Sequence, residues 1–134
     1  MKLITKNTDY AIRALCYIAR HKKKTVSAKD LVRELGITRP FLRKILLRLN
    51  KKTFLRSYKG KGGGFKLSRS PDRILITDLI KAFQGPIKLA EHIFRRGICP
   101  HIKTCILKKK LDRTEKRIIA DLKAITIASL IRDL

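Results

Sequence analysis

Along this chain apolar residues recur at the spacing of amphipathic helices, broken once by a glycine-rich stretch between two short β-type runs. Ala11, Leu15 and Ile18 line one face of a predicted first helix ending near His21, and Ile12, Cys16 and Ala19 widen that face toward a core. Asn7 or Thr8 is the expected cap, with Asp9 in the first turn, where the helix dipole favours a carboxylate. Ser27 and Asp30 have the spacing of a capping box ahead of a helix over Ala28–Leu35, and Gly36 supplies the left-handed residue that ends it. Thr38 is the expected cap of a helix from Arg39 to about Lys52, with Pro40 in its first turn. Leu42, Ile45, Leu46 and Leu49 form the core stripe of that helix, with Phe41 at its edge. Phe54 to Tyr58 and Phe65 to Leu67 read as strands joined by the tip Lys59-Gly60-Lys61-Gly62-Gly63-Gly64.

Beyond the hairpin, Ser70-Pro71-Asp72 signals a turn. Thr77 is the expected cap of a helix from Asp78 to about Gln84, with Leu79, Ile80 and Phe83 on its apolar face and Gly85-Pro86 at its end. Ile87 to Phe94 reads as a further short element, and Arg95 to Lys103 loses periodicity. From about Cys105 to Ala124 a long helix carries the narrow stripe Leu107, Leu111, Ile118, Leu122 and Ile125, with Thr114 in the gap. A stripe near coiled-coil width, on a helix that projects beyond a small core, predicts pairing with a second copy; packing against the core is the alternative. Ile127 to Leu134 predicts a short closing helix. Two helices joined by a tight turn and followed by a basic hairpin make a winged helix-turn-helix. The expected fold is therefore mainly α with a small β-hairpin wing. The winged helix-turn-helix occupies residues 1–85, and residues 86–134 add a sensor loop and a long C-terminal dimerisation helix in one compact unit with it.

Charge sharpens this picture. The chain has 34 Lys and Arg against 10 Asp and Glu, a net charge of +24 on 134 residues, which repels itself unless it meets a polyanion. The excess is concentrated, since Arg20 to Arg69 hold 17 basic residues and only Asp30 and Glu34 as acids. Thr38 through Lys52 contain six basic residues and no acid, whereas an ordinary surface helix mixes in glutamates for pairing one turn away. At 100° per residue, Pro40, Arg43, Lys44, Leu47 and Lys51 lie opposite the core stripe, with Arg39 and Arg48 at the sides. Double-stranded DNA is the expected partner. Arg39, Arg43 and Lys44 are the expected base readers, arginine being suited to bidentate contact with guanine, and Arg48, Lys51 and Lys52 the expected backbone contacts. Lys59 and Lys61 charge the wing, and Gly62 and Gly63 let its backbone come close to a phosphate or a groove. Ser27 and Thr38, at the starts of the two helices, complete the candidate DNA-contacting set. A basic protein that binds nucleic acid without sequence preference is the competing class. No Gly-Lys-Ser/Thr opens a helix after the glycine run, and acids do not pair at metal-binding spacing in the basic half, which argues against an enzyme such as an NTPase or a nuclease.

Cys16, Cys99 and Cys105 are an odd number of cysteines in a chain without a recognisable cleavable signal, since Arg13 interrupts the early apolar stretch. A reducing, cytoplasmic setting is expected. Cys16, on the apolar face of the first helix, reads as a small buried hydrophobe. The longest apolar run, Ile125 to Ile131, contains Thr126 and Ser129 and falls far short of the roughly 20 residues that span a bilayer, so no membrane partner is expected.

Four stretches in order carry a further likeness: Thr8-Asp9-Tyr10-Ala11-Ile12-Arg13-Ala14-Leu15, Gly60-Lys61-Gly62-Gly63-Gly64-Phe65-Lys66-Leu67, Cys99-Pro100-His101-Ile102-Lys103-Thr104-Cys105, and Ile125-Thr126-Ile127-Ala128-Ser129-Leu130. Through them the chain resembles, over nearly its whole length, the Rrf family of winged-helix transcription regulators, which includes IscR, NsrR and RirA. The resemblance implies a homodimeric DNA-binding regulator, most often a repressor, whose long C-terminal helices cross at the dimer interface. It also implies an iron-sulfur cluster in the cysteine loop, whose state alters DNA binding. Cluster-bearing members typically have three cysteines there and a fourth, different ligand. Here Cys99 and Cys105 match the last two cysteines, the first falls near Ile93, and His92 and His101 are the nearby substitutes. The acidic residue that completes the site from the partner subunit in some members maps onto Asp9. Histidine in place of cysteine, as in Rieske-type centres, makes a 2Fe-2S cluster the expectation over 4Fe-4S. Three alternatives stay open: a regulatory disulfide favoured by Arg95, Arg96 and Lys103, zinc held with His101, or a vestigial loop.

Overall fold

The computed structural model describes residues 2–22, 24–89 and 105–133 of the chain. Helix α1 (Lys6–Arg20) is the central element, with Ala11, Ala14, Leu15, Ile18 and Ala19 all buried along it. Its cap is Thr5, whose side chain accepts from the Thr8 N–H, and not Asn7 or Thr8 as the local sequence predicts. The reason is tertiary: the hydroxyl of the fully buried Thr8 donates to Gln84 Oε1 at 2.6 Å, so Thr8 is inside the helix and occupied. The Thr5 N–H donates to the same oxygen at 2.9 Å, and Gln84 Nε2 donates to the Leu3 carbonyl at 3.1 Å.

Helix α2 (Ala28–Leu35) has the expected capping box, in which Asp30 N–H donates to Ser27 Oγ at 3.1 Å and Ser27 N–H donates to Asp30 Oδ2 at 3.2 Å. Gly36 ends it at φ 63°, the left-handed conformation that a residue without Cβ adopts most easily. Helix α3 (Arg39–Lys51) follows after Thr38, whose hydroxyl makes no capping bond. Leu42, Ile45, Leu46 and Leu49 are buried beneath it, as their spacing predicts. Strands β1 (Leu55–Tyr58) and β2 (Gly64–Leu67) form an antiparallel hairpin with Leu55 opposite Leu67 and Tyr58 opposite Gly64. Val26 adds a one-residue bridge to Phe65, with N–H to carbonyl distances of 3.0 and 2.7 Å.

A 3-10 turn (Pro71–Arg73) leads to α4 (Ile76–Gln84), whose cap position is Leu75. Thr77 lies inside that helix, which corrects its predicted role. Backbone pairing moves the start: Ile76 N–H donates to the Ile125 carbonyl and Ile127 N–H to the Ile74 carbonyl, each at 3.0 Å, and this long-range bridge holds the chain ahead of Thr77. The long α5 (Ile106–Lys123) then leads to α6 (Ile127–Arg132), which is capped by a Thr126–Ser129 box and places Ile127 in the same core as α1. The fold is thus mainly α with a two-stranded wing. The predicted stripe divides along its length: Leu107 is 56% exposed, Leu111 and Ile118 are half-buried, and Leu122 packs against the core, while Ile125 lies beyond the end of α5 and reaches the core from the bridge that follows it. Among the described residues no helix is long and apolar enough to cross a membrane.

Candidate nucleic-acid interface

Burying the Leu42, Ile45, Leu46 and Leu49 side of α3 turns the other side of the helix outward. Arg39, Pro40, Arg43, Lys44, Leu47 and Lys51 are all exposed there. The amino end of the helix is anchored through Phe41, which meets Tyr10 edge-on at 5.6 Å and has Lys6 Nζ 5.3 Å above its ring. Two clefts flank the exposed face. One, of about 990 Å³, separates α3 from the wing and is bordered by Arg39, Arg43, Lys44, Leu47, Ser57 and Lys59. The other, of about 510 Å³, lies between α3 and α4 and is bordered by Lys44, Leu47, Arg48, Lys51, Lys52 and Phe83. No acid borders either cleft among the described residues.

The wing is tied to the segment just ahead of α2. Besides the Val26–Phe65 bridge, Thr25 Oγ1 donates to the Gly62 carbonyl at 2.6 Å. A Cβ on Gly64 would lie 2.5 Å from the Val26 carbonyl oxygen, and one on Gly63 would run into the Tyr58 carbonyl, so the close approach requires glycine at both places. Lys59, Lys61 and Gly62 are exposed at the tip, and Gly63 is half-buried within the turn. Ser27 sits at the root of this arrangement and is engaged in the capping box. Those bonds from Ser27 hold the Asp30 carboxyl below its ordinary pKa, with Arg33 beside it acting in the same direction.

Two arginines behave in ways that helical spacing does not reveal. Arg48 Nη1 donates to the Ala82 carbonyl at 3.1 Å, and its guanidinium lies 5.9 Å from the Phe83 ring, so this residue ties α3 to the last turn of α4. Arg69 locks the turn between α3 and β1. It donates to the Lys52 carbonyl and to Thr53 Oγ1, each at 3.2 Å, and its guanidinium lies 4.3 Å from the Phe54 ring. The turn needs support, because Thr53 has φ 63°, a strained conformation for a β-branched residue. Nothing in the local sequence signals either role.

Of the candidate metal ligands, Cys99, His92 and His101 lie outside the described residues. Cys105 is a free, half-buried thiol at the cap position of α5, where its side chain makes no capping bond. Asp9 is paired with Arg13 Nε at 2.9 Å. Among the described residues no three His, Cys, Asp or Glu side chains converge. Cys16 packs against the core, and burial pushes its thiol pKa up, with Arg20 opposing. It packs as a small hydrophobe at the edge of the core, half-buried and not fully buried as its place in the first helix predicts.

Comparison with known proteins matches residues 4–133 to the Rrf2 family, described as iron-dependent transcriptional regulators. An HTH-type transcriptional regulator of Aquifex aeolicus is 32% identical over 124 residues, covering 91% of this chain and 86% of its own length. Protein rrf2 of Nitratidesulfovibrio vulgaris is 29% identical, covering 99% of this chain and 89% of its own. Among solved structures, T. potens IscR superposes with a TM-score of 0.77 at 25% identity, over 99% of this chain and 88% of that one. CymR, the global cysteine regulator of B. subtilis, shares the fold with a TM-score of 0.81 at 20% identity, over 100% and 99% of the two chains.

Proposed function

This chain belongs to the Rrf2 family of transcription regulators, and we propose that it is a dimeric, sequence-specific repressor whose hold on DNA is set by an iron-sulfur cluster at the Cys99 to Cys105 loop. The observation that carries the DNA-binding part is the exposed, acid-free face of α3 beside a wing tied to Thr25 and Val26 just ahead of α2. Arg39, Arg43 and Lys44 read base edges from the amino-terminal half of α3. Lys51, Lys52, Lys59 and Lys61 hold phosphates, with the wing backbone at Gly62 and Gly63 close to the strand. Arg48 joins the phosphate-holding set with the donors that remain beside Nη1, which serves the Ala82 carbonyl.

Dimerisation is supported by α5, an 18-residue helix with no buried residue, on which Ile106 and Leu107 are 70% and 56% exposed. A helix with so little cover gains stability by burying Leu107, Leu111 and Ile118 against a second copy, and a two-fold dimer matches a palindromic site. The donor chemistry fits an iron-sulfur group: two thiolates at Cys99 and Cys105, imidazoles at His92 and His101, and a carboxylate at Asp9. Cys105 Sγ is free to ligate, and the Asp9–Arg13 pair is half exposed, so opening it costs at most about 1 kcal/mol. When bound, such a group supplies an oxygen- and redox-sensitive tie between its ligands.

Anaerobic purification followed by an absorbance spectrum and iron and sulfide analysis tests the cluster, and Cys99→Ala is expected to remove its visible absorbance. DNA selection from a random pool, followed by competition against unselected duplex at about 150 mM salt, tests sequence specificity. Equal binding to both would leave only a basic nucleic-acid-associated protein. A second reading keeps the DNA interface and replaces the cluster with a Cys99–Cys105 disulfide. It is favoured by the neighbouring cations Arg95, Arg96 and Lys103. A colourless protein that loses two titratable thiols on oxidation would establish it.

A further inference from the structure

Leu47 is the residue on the outer face of α3 that phosphate binding does not explain. It is 63% exposed, while the other exposed positions of the helix are arginine, lysine, Pro40 and Asn50. A single exposed leucine is ordinary on a protein surface, so exposure by itself assigns nothing. Its surroundings do. Leu47 and Lys44 border both clefts and form the ridge between them, with Arg43 one turn before and Lys51 one turn after. That ring of cations without an acid selects a polyanion over an apolar peptide or a second copy of so basic a chain. Within a DNA major groove, the apolar feature available to a leucine is the C5-methyl of thymine.

We propose that Leu47 reads a thymine methyl, making it a specificity-determining residue beside Arg43. This rests on the sequence-specific reading above. Leu47 lies one turn beyond Arg43, about 6 Å along the helix, which is about two base pairs at 3.4 Å per step. Each half-site therefore carries a thymine about two base pairs from the base that Arg43 contacts. The contact adds sequence preference without adding salt dependence, since no counterion is released.

The test uses the full-length protein and the duplex it selects from a random pool. Replacing each thymidine in turn by deoxyuridine removes only the methyl and leaves base pairing and hydrogen-bonding edges intact. One position per half-site is expected to weaken binding about fourfold, the effect of one buried methyl-sized group. In Leu47→Ala that single penalty disappears, and in Leu47→Met it persists. Circular dichroism on the variants verifies that the helix is intact. Selected duplex bound without any uracil-sensitive position, or a penalty that survives in Leu47→Ala, overturns the assignment and leaves the regulator reading standing. Failure to select any duplex over random DNA overturns the regulator reading, and the Leu47 assignment falls with it.

Discussion

Gln84 Oε1 accepts a 2.6 Å hydrogen bond from the hydroxyl of Thr8, joining the last turn of α4 to the first turn of α1 across 76 residues of sequence. Thr8 is fully buried, so its end of the bond is shielded from water. The same α4 turn also receives Arg48 from α3 at Ala82. One turn of helix thus links the amino terminus, the basic helix α3 and, through Gly85, the segment that leads toward Cys99 and Cys105.

Removing the amide from Gln84 deletes its bonds with the buried Thr8 hydroxyl and with the Thr5 N–H, and its exposed bond to the Leu3 carbonyl. Gln84→Leu is expected to lower the unfolding free energy by about 1–3 kcal/mol. Thr8→Val should cost less in that background than alone, because the Thr8–Gln84 bond is already gone. Urea denaturation of the two single variants and the double variant, at one protein concentration, measures the coupling.

Thr53 stores strain at the junction of α3 and the wing. Asparagine tolerates the left-handed region better than a β-branched residue, so Thr53→Asn is expected to stabilise the protein by about 0.5–1 kcal/mol. Arg69→Ala should act in the opposite direction, by about 0.5–1.5 kcal/mol, because it removes the bonds by which Arg69 ties the Lys52 carbonyl to the Thr53 hydroxyl. Thermal unfolding of both variants gives the signs directly.

Arg43 and Lys61 separate base reading from charge. Arg43→Ala is expected to cost about 1–3 kcal/mol on the selected duplex and to relax preference at one base pair. Lys61→Ala should weaken all duplexes alike and flatten the dependence of affinity on salt by about one counterion. Fluorescence anisotropy titrations on selected and random duplexes over a salt series distinguish the two; a uniform loss for Arg43→Ala would remove its base-reading role.

Asp30 gives the fold an acid-sensitive element. Its pKa is lowered in the folded chain by the bonds from Ser27, so the folded state binds its proton less readily than the unfolded state. The resulting stability is fully present above the unfolded carboxylate pKa and is lost as pH falls through the lowered value. Asp30→Asn is therefore expected to flatten the acid limb of a stability-versus-pH profile while changing little near neutrality in its slope. Denaturation midpoints measured between about pH 2 and pH 7 test this, the window following from the ordinary carboxylate range.

Most of the α2–turn–α3–wing unit was legible in the residues. The Ser27 and Asp30 spacing, Gly36 and the Leu42, Ile45, Leu46 and Leu49 stripe all act within a turn or two of helix, and the structure places them as those patterns predict. Sequence by itself determined which face of α3 is charged, because burying one stripe leaves only the opposite side for Arg43, Lys44 and Leu47. Tertiary structure decided what depends on distant partners. Gln84 draws Thr8 inward and leaves Thr5 to cap α1; the Ile74–Ile127 pairing starts α4 ahead of Thr77; Arg48 turns to Ala82; and Arg69 holds Thr53 in a conformation that its own side chain disfavours. Local propensities differ by fractions of a kcal/mol to about 1 kcal/mol, and a hydrogen bond or packing contact made across the fold is large enough to override them.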